Sequence, residues 1–189
     1  MGIFEYISIL TAIIIGLGLA QLLSGVARLI QNPEKERVYW VHLFWVGYLV
    51  VNMVFWWWWE YRLGDLDVWH FQNYLFVLLY AVMLYLCCAL LFPADMSAYE
   101  GYEDYLMSRR HWFFLILAST FMIDMYDTWL KGAEHFERAG TEYVVATLTN
   151  TVLIGGAALT RSHLYHAAVA VAAFTYQLRW AFLFTDSIT

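Results

Sequence analysis

Charge is scarce in this chain. Only 14% of its 189 residues are Asp, Glu, Lys or Arg, against about 25% in an ordinary soluble domain. The ten Lys and Arg residues never gather into a stripe, so nucleic acid is not an expected partner. Proline occurs twice, at Pro33 and Pro93, and glycine eleven times, which excludes a low-complexity linker protein. Cysteine is limited to Cys87 and Cys88. Neighbours on a helix point about 100° apart, so these two cannot pair without destroying it. No CxxC or comparable metal-ligand spacing occurs. HExxH, GxSxG and phosphate-cradling glycine loops are missing too. No catalytic or metal-ligating residue is therefore assigned, and a non-enzymatic protein is the leading expectation. The start, from Met1 to Glu5, lacks a basic n-region, so no cleaved signal peptide is expected.

Apolar length is what the chain has instead. It is 62% hydrophobic and 20% aromatic. A membrane span needs about 20 mostly apolar residues, and six segments qualify: 3–30, 38–60, 69–92, 110–130, 141–160 and 163–185. The expected fold is an all-α membrane protein. A single transmembrane domain, 1–189, forms a bundle of about six transmembrane helices, paired as three antiparallel hairpins. Charged or glycine-containing turns at 31–37 and 64–67 separate the first three spans. The longest loop, 93–109, is acidic, and a polar stretch at 131–140 ends in Gly140. The tightest connection is 160–163, where one long bent helix is the alternative.

Loops one, three and five carry Arg28, Lys35, Arg37, Arg109, Arg110 and Arg161. The other side carries Arg62, Lys131 and Arg138, with Arg179 inside the last span. The excess places loops one, three and five in the cytoplasm and both termini outside.

Polar residues fall at a matched depth. Counted from the cytoplasmic helix starts at about 1.5 Å per residue, Asn52, Asp124 and Arg179 with its neighbour Gln177 all lie roughly 21–27 Å in. A buried charge in lipid needs a partner. Asp124 is expected to pair with Arg179, near Asn52, with Asp127 as a competing partner. Such a cluster suits a substrate or ion path; it would equally suit a pair that fixes bundle register. His42, His111 and His166, with His163, lie toward the other end. Interface anchoring is the plain reading, and haem b or quinone binding is the alternative. His70 and His135 are expected in solvated outer loops.

Trp56, Trp57, Trp58 and Trp59 close the second span. Four successive residues cover the whole helix circumference, which suits an interfacial anchor; an aromatic cage is the sharper alternative. Gly18 and Gly25 lie seven apart on one face of the first span, near Gln21 and Ser24. They allow close backbone approach, either inside one bundle or at a seam between copies.

Residues 4–10, 15–19 and 22–25, with Trp40–Val41–His42–Leu43–Phe44–Trp45 and the tryptophan-rich end of the second span, resemble a group of small polytopic inner-membrane proteins of bacteria. The resemblance implies a bacterial inner (plasma) membrane and brings no activity with it. Three functions remain open. The first is a channel, transport or solute-sensing module. The second is a haem- or quinone-binding redox subunit. The third is an accessory subunit docking to a larger membrane complex. The expected partners are the lipid bilayer and a homo-oligomer or larger membrane complex.

Overall fold

The computed structural model describes residues 3–34, 37–66 and 68–183. Lys35 of the first loop and residues 184–185 of the sixth expected span lie outside them. The described residues form six α-helices: α1 (Ile3–Gln31), α2 (Trp40–Glu60), α3 (Phe71–Leu91), α4 (Tyr102–Leu130), α5 (Ala133–Leu159) and α6 (His163–Leu183). A single 3-10 turn, Tyr61–Asp65, follows α2. The chain is a polytopic helical membrane protein. Five of its helices, α1 to α5, are long and apolar enough to cross a bilayer. The sixth has membrane length at 21 residues but is diluted by His163, His166, Gln177 and Arg179.

Two boundaries differ from expectation. Helix α4 begins at Tyr102, eight residues before the expected start, so the second half of the acidic stretch is helix. Glu103 and Asp104 occupy its first turn, where carboxylates complement the helix dipole. The Tyr102 backbone N–H also donates to the Arg37 carbonyl at 3.1 Å, which ties the α4 start to the α1–α2 loop. Helix α5 begins at Ala133, but Gly140 breaks it with φ 72° and ψ −179°. The apolar part therefore still starts at Thr141, as the sequence indicated. Thr160 is extended, φ −105° and ψ 156°, so α5 and α6 are separate helices rather than one bent one.

The most extensive packing joins α4 with α5 and α1 with α3, followed equally by α2 with α6 and α3 with α4. Two of these four pairs are sequential. Glycines bring α1 close to its neighbours. A methyl group on Gly18 would fall 2.6 Å from the Met53 side chain and 3.5 Å from Cys88 Sγ, and one on Gly25 would strike the Phe92 ring. These glycines serve close packing within the bundle. Cys87 and Cys88 are buried, free thiols. The central layer is aromatic: the Trp45 ring packs edge-on against Phe113 at 5.8 Å and Phe114 at 5.4 Å. Large apolar side chains such as Ile13, Leu17, Val152 and Leu164 point outward, as lipid-facing residues should.

Candidate functional site

The two ends of the bundle are built differently. At the end holding the start of α2, the last carbonyls of α3 would be left without intrahelical partners. Three side chains from three helices take them. Gln21 Nε2 donates to Phe92 O at 3.0 Å, His42 Nε2 to Leu91 O at 2.8 Å, and the Tyr105 hydroxyl to Leu90 O at 2.8 Å. The His42 ring stacks on Tyr102 with centroids 4.5 Å apart and meets Phe92 edge-on at 5.0 Å. His166 repeats the device, with Nε2 3.1 Å from Thr160 O at the end of α5 and its ring 5.1 Å from Phe114. His111 is exposed, and His163 pairs with Glu103 at 2.7 Å. Two of the three expected cofactor histidines thus cap helix ends, and none of the three lines the large cavity. Among the described residues no group of three His, Cys, Asp or Glu is placed to hold a metal ion.

The opposite end, where α2 and α4 finish and α5 starts, holds a cavity of about 300 Å³ lined by α2, α4, α5, α6 and Tyr80 of α3. Its wall includes Asn52, Asp124 and Gln177, three of the four residues expected to share a polar site. The fourth does not join them. Arg179 is exposed and pairs with Glu142 of α5. Gln177 and Arg179 are two residues apart and point to different faces of α6. Matching depth without angle around the helix therefore mispaired Asp124.

Asp124 is held by two phenols. Tyr80 donates to Oδ1 at 3.1 Å and Tyr143 to Oδ2 at 2.7 Å. The Tyr143 oxygen lies 2.9 Å from Thr128 Oγ1, and since Tyr143 gives its proton to Asp124, Thr128 donates here. Asn150 and Thr147 also line the cavity. Asn150 bonds back to Ala146 O and Thr151 to Thr147 O, so these groups satisfy their own helix rather than a neighbouring one.

The tryptophan run divides between two tasks. Trp56 and Trp59, three apart, share a face and line the cavity, whereas Trp57 and Trp58 are exposed. Trp56 meets Tyr80 edge-on at 5.0 Å. Trp59 lies 5.5 Å from the His135 ring and beneath the Arg62 guanidinium at 5.8 Å. His135 is half-buried in the wall instead of solvated in a loop. Arg138, also in the wall, is exposed, so the cavity reaches the surface here.

One cluster beside the cavity went unseen in the sequence. Lys131 Nζ contacts Glu60 Oε1 at 2.7 Å and Asp127 Oδ2 at 2.5 Å, with all three side chains at most 5% exposed. Burial opposes the Lys131 charge, but the Asp127 and Glu60 carboxylates outweigh it and raise its pKa above the ordinary lysine value. Asp124, Asp127 and Lys131 fall at i, i+3 and i+7, the spacing of one helix face, which was a readable signal. Glu60 was masked by its position directly after the tryptophan run.

No family model matches the chain, and no curated protein or solved structure is significantly similar to it.

Proposed function

We propose that the chain is a membrane-embedded solute-binding module, of the transport or sensing kind, whose site is the cavity between α2, α4, α5 and α6. The observation that carries this reading is the composition of the wall. Phe55, Trp56, Trp59, Phe121, Tyr176 and Trp180 supply flat apolar surface, while Asn52, Gln177, Asn150 and Asp124, with the cationic Arg62, Lys131 and Arg138, supply hydrogen-bonding and charged groups. Small-molecule sites combine aromatic surface with placed polar groups, in volumes of about 300–1,000 Å³. A purely structural cluster inside a bundle would fill this space with side chains, because close packing is the rule for protein interiors. The fitting solute is small, with a flat face for the aromatic rings and polar groups for the amides and charged side chains. An inner-membrane setting and self-association belong to the same proposal.

Native mass spectrometry of the full chain released from membranes in mild detergent tests it. The expected result is a discrete non-lipid mass on the wild type that is lost in Asn52→Trp, which fills the cavity. Lipid alone on the wild type, with no change in tryptophan emission when membrane extract is added back, would overturn it. A mass equal to haem, retained in Asn52→Trp and lost in His166→Ala, would redirect the reading to the histidine end.

A further inference from the structure

The buried charges do not balance. Glu60 and Asp127 face one ammonium, that of Lys131. One carboxylate is neutralised, and the second would stand as a bare anion at 0–5% exposure. Such a charge is too costly to leave uncompensated. Each carboxyl also keeps one buried oxygen, Glu60 Oε2 and Asp127 Oδ1, that no donor reaches. The two carboxyls are neighbours, since both contact the same ammonium, at 2.7 and 2.5 Å. Ionised carboxylates only accept, so two of them buried against one ammonium need either a second positive charge or a proton.

Access is the second observation. Lys131 lies in the wall of the large cavity. Glu60 lies in the wall of a separate one, about 160 Å³, with Ser8 and Thr11 of α1. The hydroxyls of Ser8 and Thr11 donate to their own helix, to Glu5 O and Ile7 O, which leaves their oxygen lone pairs able to accept a hydrogen bond. The cluster therefore separates two cavities at one end of the bundle.

We propose that Glu60, Asp127 and Lys131 form a buried proton-binding site, in which the two carboxyls share one exchangeable proton taken from water through the flanking cavities. The step is a simple transfer: hydronium gives its proton to one carboxylate, which becomes a carboxylic acid, and water is released. The other ionisable groups around the site are Arg62 after α2, Tyr80 of α3, Asp124 of α4, and His135, Arg138 and Tyr143 of α5, with exposed Glu5 on α1. Asp124 accepts from the Tyr80 and Tyr143 hydroxyls and makes no bond to Lys131 among the described residues. Arg62 is held over Trp59 and Arg138 over Glu134, 3.8 Å away. Neither arginine supplies the missing positive charge. The inference goes beyond solute binding and does not depend on it.

Infrared spectroscopy of the full-length protein in dodecyl maltoside, which has no ester carbonyl, reads the proton directly. The expected result is a protonated-carboxyl C=O band at neutral pH that shifts on transfer to D2O. It should disappear in Glu60→Gln and in Asp127→Asn, and survive in Asp124→Asn. Absence of the band from the wild type, its failure to shift in D2O, or its loss only in Asp124→Asn would each overturn the proposal. The wild-type spectrum decides the matter even where a substitution prevents folding.

Discussion

The histidine end and the tryptophan end of this bundle use similar residues to opposite effect. At the histidine end, Gln21, His42 and Tyr105 each give a hydrogen to a backbone carbonyl at the finish of α3. The surrounding Phe92 and Tyr102 leave no space. At the tryptophan end, aromatic rings in edge-on contact line a cavity, where Asp124 accepts from two phenols and Asn52 and Gln177 join the wall. In lipid, backbone groups must be satisfied within the protein, so the first arrangement is what a membrane fold requires. The second exceeds that requirement, and it is there that a function should be sought.

Removing a charge at the tryptophan end should have the largest effect. Lys131→Met strands Glu60 and Asp127 together and should cost about 3–5 kcal/mol, the range for breaking a buried pair. Thermal unfolding in detergent measures it, and an unchanged midpoint would break the comparison at its strongest point. Next is His42→Leu at the other end, which leaves the Leu91 carbonyl buried without a donor. It should cost about 1–3 kcal/mol, and His42→Gln, which keeps a donor, should recover part of the loss. A haem role for His42 would instead appear as loss of colour with either change. Asn52→Leu sharpens the contrast further. It should alter stability by less than about 1 kcal/mol while removing any bound non-lipid mass.

The smallest effect belongs to a loop. Asp95 accepts the Ser97 backbone N–H at 2.8 Å and its hydroxyl at 2.7 Å, and these bonds hold its carboxyl below the usual aspartate range. A depressed carboxylate stabilises the fold above its unfolded pKa, and that contribution is lost as pH falls through the folded value. The gap in unfolding midpoint between wild type and Asp95→Asn should therefore be small at neutral pH and close on acidification. A gap that widens with acid would contradict the hydrogen bonds.

Much of this was legible from hydrophobic length alone. The number and type of helices follow from runs of about 20 apolar residues, and the Gly140 break was marked by the change from polar to apolar sequence. The start of α4 was not legible, because a helix that extends beyond the apolar run is fixed by its acidic first turn and by the Arg37 carbonyl. The site was half legible. Asn52, Asp124 and Gln177 were brought together by depth, which sequence position records. Arg179 was separated from them by rotation about α6, which depends on how each helix turns toward its neighbours. Trp56 and Trp59 could not be told from Trp57 and Trp58 for the same reason. Glu60 joins Lys131 across 71 positions, and no local pattern announces such a contact.

The break at Gly140 has a mechanical consequence. It leaves residues 133–139 as a two-turn segment between the Gly132 turn and a backbone pivot at Gly140, with His135 resting on Trp59. His135 and Arg138 ride on that segment. Only glycine adopts a φ of 72° with an extended ψ at little cost. A side chain at position 140 would therefore swing both residues relative to the cavity while leaving the apolar part of α5 in place. The position of His135 and Arg138 at the cavity is thus tied to the backbone at Gly132 and Gly140 as well as to the contact of His135 with Trp59.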